Sequence, residues 1–234
     1  MARVTMSPIL FAVGLVACGG AGSPVEPTAA PSPAASPPPA AVARYRVTFD
    51  ATWSAATHPM DIPATPHFSR LVGGTHRATV RFWEAGGLAS EGIRLMAEQG
   101  RASPLDVEVQ AAVTAGHAQH VLVGDGIPVS PGLVSLEFEI SRDYPLVTLV
   151  SMLAPSPDWF VGVSGLDLRE GGDWAAETVI VLAAWDAGTD SGVSYGSRDV
   201  VTRPPEPIQK IVTGPLVVGA SVPPVGTFRF RRIS

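Results

Sequence analysis

Three aspartates lie in turns built from glycine and proline. Asp158 sits between Pro157 and Trp159 in the segment PSPDWFVG, Pro155 to Gly162. Asp186 and Asp190 stand four residues apart in WDAGTDSG, Trp185 to Gly192, with Gly188 between them. Taken singly, each is ordinary turn chemistry, because Pro-Asp and Asp-x-Gly both favour turns. Taken together, carboxylates in oxygen-rich turns match a hard divalent cation, and calcium takes roughly six to eight oxygen ligands. Close carboxylates repel unless a cation neutralises them. The remaining ligands would be water or backbone carbonyls, with those of Trp185 to Thr189 the candidates. Magnesium suits such a site less well, since it demands near-octahedral geometry and gives up its waters reluctantly.

Other reactive side chains carry weaker signals. His58, His67, His76, His117 and His120 invite a zinc reading, and His67 and His76 bracket a loop in which they could meet. No cysteine stands near them, and a hydrogen-bonding role fits them better than ligation. Gly192-Val193-Ser194-Tyr195-Gly196 has the form of a nucleophile elbow. That motif needs a strand before it and a helix after it, whereas Arg203-Pro204-Pro205 follows here, so a catalytic Ser194 is not expected. Trp53, Trp83, Trp159, Trp174 and Trp185 read as packing residues, with Trp159 and Trp185 bracing the acidic turns.

The elements that must position these residues are mostly strands. Tyr45, Val47 and Phe49 alternate with polar residues, as do Ala78, Val80 and Phe82, then Val134, Leu136, Phe138 and Ile140, and finally Phe228 and Phe230. Leu146 to Leu153 and Thr178 to Ala184 are continuous apolar runs and read as fully buried strands. Val134, Phe138, Leu149 and Val181 are the expected core. One helix is expected from a capping Ser103 and a first-turn Pro104, with Leu105, Val109, Ala112 and Val113 on one face and Gly116 at its end. Glu91 to Gln99 reads as a second short helix stopped by Gly100. Short strands punctuated by Gly and Pro point to an antiparallel β-sandwich with one or two short helices.

The N-terminus has another character. Pro8 to Ala17 is a short apolar run behind Arg3, and Leu15-Val16-Ala17-Cys18 has the form of a bacterial lipobox whose cysteine carries the lipid. Cys18 is the only cysteine in the chain. Residues 1–18 are therefore read as a lipoprotein signal peptide, 19–43 as a Pro/Ala-rich tether, and 44–234 as the folded domain. A tether of that composition prefers polyproline II, at about 3.1 Å per residue. Gly19 rather than aspartate follows Cys18, which favours the outer membrane or cell surface. The chain of 234 residues is 46% hydrophobic and 16% charged, enough apolar content for a substantial core. Its net charge is −5, and its longest basic run is Arg231-Arg232, which argues against nucleic acid as a partner. The absence of asparagine excludes Asn-linked glycans.

Four stretches resemble the N-terminal domain of the spondin family. They are YRVTFDATWS followed by Thr57-His58-Pro59, HFSRLVGGTH, FWEAGGLASEGIRLMAEQG, and PSPDWFVGV with WDAGTDSG. The resemblance spans Arg44 to Lys210 and weakens beyond. It implies a β-sandwich like that of calcium-dependent lipid-binding domains, one calcium ion on Asp158, Asp186 and Asp190, and a secreted role in adhesion or matrix contact. Animal members carry disulfides, and this chain has no cysteine after residue 18. The expectation is a binding module, not an enzyme: a lipid-anchored envelope protein contacting an unknown protein, glycan or matrix ligand, with a metal-dependent hydrolase at the same acidic turns as the alternative. Cys18→Ser should release the protein from the membrane fraction or leave it unprocessed; a variant that fractionates and matures like the wild type would refute the lipobox reading.

Overall fold

The computed structural model describes residues 40–234; Cys18, its lipobox and nearly all of the tether lie outside them. The first strand, β1 (Val42–Ala51), starts two residues before the expected domain boundary, and Ala43 is already buried. Arg142 fixes this start: its backbone N–H donates to the Ala41 carbonyl at 2.9 Å and its Nε to the Ala40 carbonyl at 2.9 Å.

After β1 come β2 (His67–Phe68), β3 (Val72–His76), α1 (Glu91–Gln99), α2 (Leu105–Thr114), β4 (Ala118–Val123), β5 (Gly132–Ser141), β6 (Leu146–Ala154) and β7 (Trp159–Asp167). The last third holds β8 (Arg169–Glu170), β9 (Asp173–Trp174), β10 (Glu177–Leu182), β11 (Trp185–Asp186), β12 (Gln209–Lys210) and β13 (Gly226–Arg232). Apart from the small β8-β9 pair, one sheet has the order β10-β13-β1-β5, the other β12-β11-β7-β6-β3-β4 with β2 also paired to β6. The pairings within both are antiparallel, giving the β-sandwich that the alternating pattern predicts.

The first sheet faces water on one side. Tyr45, Val47 and Phe49 of β1, Phe138 and Ile140 of β5, and Phe228 and Phe230 of β13 point inward onto Val147, Leu149 and Leu153 of β6 and Val161 of β7. Their outward neighbours form ion pairs across strands, Arg46 with Glu137 at 2.5 Å and Arg229 with Glu177 at 2.6 Å. This open face corrects one expectation. β10 is an edge strand, not a buried one, and Val181 is 62% exposed and Val179 43%, while Ile180 and Leu182 face the core. Val134 is only partly buried.

β6 is the reverse case, buried on both faces as its mostly apolar run predicts, with Thr148 and Ser151 buried in it too. Val150, Met152 and Ala154 project from its second face onto Ile93, Met96, Leu105 and Val109 of the two helices, a second core that makes the fold three-layered. α2 reaches this close because β3 carries Gly74, where a Cβ would lie 2.5 Å from Val109 Cγ1. Ser90 caps α1, accepting from the Ile93 N–H at 3.2 Å, and Gly100 ends it in the left-handed region. Glu108 of α2 braces the same end, accepting from the Gly92 N–H at 2.7 Å. The expected Ser103 cap of α2 is not made: Pro104 occupies the cap position with no side-chain bond to the helix. The expected strand at Ala78 to Phe82 is a turn and loop, with Phe82 and Trp83 both buried in the second core. Neighbouring strand residues would point to opposite faces.

His76 is 1% exposed, its Nε2 bonded to Thr148 Oγ1 and its Nδ1 to the Arg77 carbonyl, both at 2.8 Å. Burial is the main cause that pushes its pKa below the ordinary 6.5, and burial lowers His58 in the same way. Both are therefore neutral in the fold and take up a proton in the unfolded chain as pH falls below about 6.5. Stability from them is present above that pH and lost below it. Between pH 7 and pH 5 the thermal midpoint of His76→Gln should lose less, relative to its pH 7 value, than that of the wild type; an identical pH dependence would show that His76 is not an acid-labile group.

Candidate metal centre

The acidic turns meet at one pole of the sandwich. The Pro155–Asp158 turn joins β6 to β7, and the Ser156 hydroxyl accepts from the Trp159 N–H at 3.1 Å. β11 then pairs with β7, setting Asp186 opposite Trp159, and the Ala187 N–H donates to the Asp158 carbonyl at 3.1 Å. Two strand ends thus carry Asp158 and Asp186 to the same place. Asp186 accepts from the Gly188 N–H at 2.8 Å, a tight side-chain turn. Gly188 takes φ 73°, and a Cβ there would lie 2.1 Å from the Glu206 carbonyl oxygen, so only glycine fits.

Asp158 is fully buried. Its Oδ2 accepts from the Thr189 N–H at 2.7 Å, the Thr189 hydroxyl at 3.2 Å and the Asp190 N–H at 3.0 Å. Its Oδ1 is buried with no hydrogen-bond partner. Burial and then the charge of Asp186 raise its pKa to about 6, against the lowering effect of the Thr189 and Asp190 donors. Asp186 is half-buried and its pKa is also raised, first by burial and further by the charges of Glu206 and Asp190, while Gly188 and the Trp159 indole hold it down. Asp190 is turned to the backbone: its Oδ1 accepts from the Gly192 N–H at 2.7 Å and its Oδ2 from the Val200 N–H at 2.8 Å.

The expected trio is therefore gathered, with unequal parts. Among the described residues no three His, Cys, Asp or Glu side chains stand as a ready-made metal cluster. Asp190 spends both oxygens on amides, and Asp158 spends one. The residues nevertheless fit a cation, because the buried Oδ1 of Asp158 lacks any positive partner and lies within the field of a second carboxylate. A carboxylate oxygen bonded to an amide also keeps a second lone pair. The carbonyls of Gly188 and Thr189, expected as further ligands, accept instead from the Glu206 and Thr202 N–H groups at 2.8 and 2.9 Å. A cleft of about 240 Å³ opens beside Asp186, walled by Trp159, Gln209, Lys210 and Val212.

The amide and hydroxyl roles of Thr189, and Glu206, were not legible at the site. Thr189 lies inside the DAGTDSG segment without a charge to flag it, and Glu206 lies among prolines, apart from the two acidic turns. Four of the five tryptophans are buried, and Trp185 is half-buried with Lys210 Nζ 5.5 Å from its ring centre. His67 and His76 do not meet: they pair with Ala154 and Leu146, opposite ends of β6. The His117 ring meets Thr79 Oγ1 at 3.0 Å. Within the elbow-like segment, Tyr195 is buried against Trp53 and Trp159, and the Ser194 hydroxyl meets Ser197 Oγ at 3.0 Å. The Tyr195 hydroxyl and Trp53 Nε1 lack a well-aligned partner. They lie close enough for Trp53 to oppose the burial that raises the tyrosine pKa to about 12.

A family model described as Spondin_N matches residues 43–216. Human Spondin-2 is 36% identical over 177 residues, covering 74% of this chain and 54% of that protein. Rat Spondin-1 is 39% identical over 180 residues, covering 73% of this chain and 22% of that protein. Chicken Spondin-1 is 37% identical over 182 residues with the same coverage of 73% and 22%. The chain thus spans about half the length of the human Spondin-2 it matches and a smaller share of Spondin-1.

The cradle and the charge of Asp158 can be separated. In chelator at pH 7.5, Asp158→Asn should melt at or above the wild type, since an amide keeps an oxygen acceptor and removes an unpartnered buried charge. Asp158→Ala, which orphans the amides of Thr189 and Asp190, should melt lower by about 1–3 kcal/mol. Equal losses in the two variants would contradict this division.

Proposed function

The chain belongs to the spondin N-terminal domain family, and we propose on that footing that it is a lipid-anchored, extracytoplasmic binding module with one calcium ion at its acidic pole. Asp158, Asp186 and Asp190 would hold the ion, with water or carbonyl oxygens completing the shell. One observation carries the reading: the unpartnered, fully buried Oδ1 of Asp158 beside a second carboxylate. A buried anion left unpaired is costly, and a divalent cation relieves both the burial and the mutual repulsion. Among the described residues no helix is long and apolar enough to cross a membrane, and the proposed membrane contact is through Cys18.

The proposed role is adhesion in the cell envelope, toward a protein, glycan or matrix ligand. The fold supports it by its polarity. Ala40 accepts from Arg142 and from the Trp174 indole at the pole where β1 begins, opposite the acidic turns. Residue 40 therefore lies at the end of the domain opposite the candidate site.

Binding to the folded form alone stabilises by about 2.7 kcal/mol when free ion is a hundred times Kd. The full chain should melt several degrees higher in millimolar calcium than in chelator, with magnesium substituting less well. Asp158→Asn and Asp190→Asn should remove most of the difference. Identical curves with calcium and chelator, from protein shown to be metal-free at the start, would exclude the site.

A further inference from the structure

We propose that Glu206 is a fourth acid of the same site, held beside Asp186 by a strap of residues 200–210, and that its charge sets how tightly the site binds a divalent cation. The inference rests on the calcium reading above.

The strap is laid along the turn that carries Asp186 and Asp190. The Ser191 N–H donates to the Val200 carbonyl at 2.8 Å, the Thr202 N–H to Thr189 at 2.9 Å and the Glu206 N–H to Gly188 at 2.8 Å. Two residues on, Ile208 is tied down from the other side, its N–H donating to the Gly87 carbonyl and its own carbonyl accepting from the Gly86 N–H, each at 2.8 Å. Glu206 is thus pinned before and after. Pro204, Pro205 and Pro207 flank it, and each fixes its own backbone angle, which limits the freedom of the acid between them. The backbones also touch: the side-chain-free Gly188 leaves room for the Glu206 carbonyl where a Cβ would come within 2.1 Å.

The charge of Glu206 has nothing local to spend itself on. Among the described residues it makes no salt bridge, and Lys210, four residues later, stands over the Trp185 ring instead. It lines a cavity with Trp185 and Lys210, and its charge acts on Asp186. Asp158, Asp186, Asp190 and Glu206 together carry more negative charge than one divalent ion neutralises. The unpartnered buried oxygen of Asp158 marks where that ion belongs. Glu206 is exposed, so it acts at one remove, as a charge beside the site rather than as a buried ligand. Such a charge strengthens binding of a cation and weakens the metal-free fold, and salt screens both effects.

Calcium titration of the full chain by calorimetry tests this. Glu206→Gln should raise Kd about five- to tenfold at low ionic strength, with the gap narrowing in high salt. In chelator the same variant should melt at or above the wild type, which also shows that it folds. Glu139→Gln, an exposed acid on the outer face of β5, should change neither quantity. Calcium binding that Glu206→Gln leaves untouched, or that Glu139→Gln weakens equally, overturns the role of Glu206 and leaves the site standing. A wild type that binds no calcium overturns both.

Discussion

β6 has no face to give to water, and the architecture follows from that. One side of the strand packs Val147, Leu149 and Leu153 against the first sheet; the other packs Val150, Met152 and Ala154 against α1 and α2. A strand buried on both faces needs cover on both, so a two-layer sandwich alone would leave the helix-facing row wet. The helices are recruited at close range through Gly74. They are then locked to each other by Glu108, which accepts from the start of α1. β6 also ends at the Pro155–Asp158 turn, so the strand buried on both faces is the one that delivers the buried carboxylate.

That carboxylate works as a fastener between segments far apart in sequence. Through one oxygen Asp158 gathers the amides of Thr189 and Asp190, and through its carbonyl it holds Ala187. Asp190 repeats the device one layer out, gathering Gly192 and Val200. Two aspartates therefore organise the loop by accepting from main-chain amides, and what remains unsatisfied is a single oxygen and a surplus of charge. Order and electrostatic tension have the same source here: the acids that shape the loop are the acids that repel within it.

Much of this was legible in the chain. Alternation located β1, β5 and β13, because one face of the first sheet is wet and the period of two survives in the residues. The mostly apolar run of β6 announced burial on both sides. α1 was readable to its bounds through Gly100. The same rule misled at β10, where Val179 and Val181 prolong an apolar run on a solvent-facing edge, since β-branched residues suit an exposed strand as well as a buried one. It misled at Ala78 to Phe82 because alternation over so few residues does not distinguish a strand from a loop that tucks in its aromatics. Asp158, Asp186 and Asp190 were visible as a set. Their unequal duties were not, because hydrogen bonds to main-chain amides leave no trace in residue type. The amide and hydroxyl roles of Thr189 escaped for the same reason.

The opposed placement of the acidic turns and the start of β1 has a mechanical consequence. A partner gripping the acidic pole while the preceding chain is held would pull along the strand axis. β1 is bonded on one side to β5 and on the other to β13 along most of its length, and both ladders run parallel to that pull. The hydrogen bonds would then be loaded side by side in shear, not peeled open one after another from an end. β1 lies inside its sheet and neither of its flanks is an edge, so the strand that takes the load is the one whose bonds must break together.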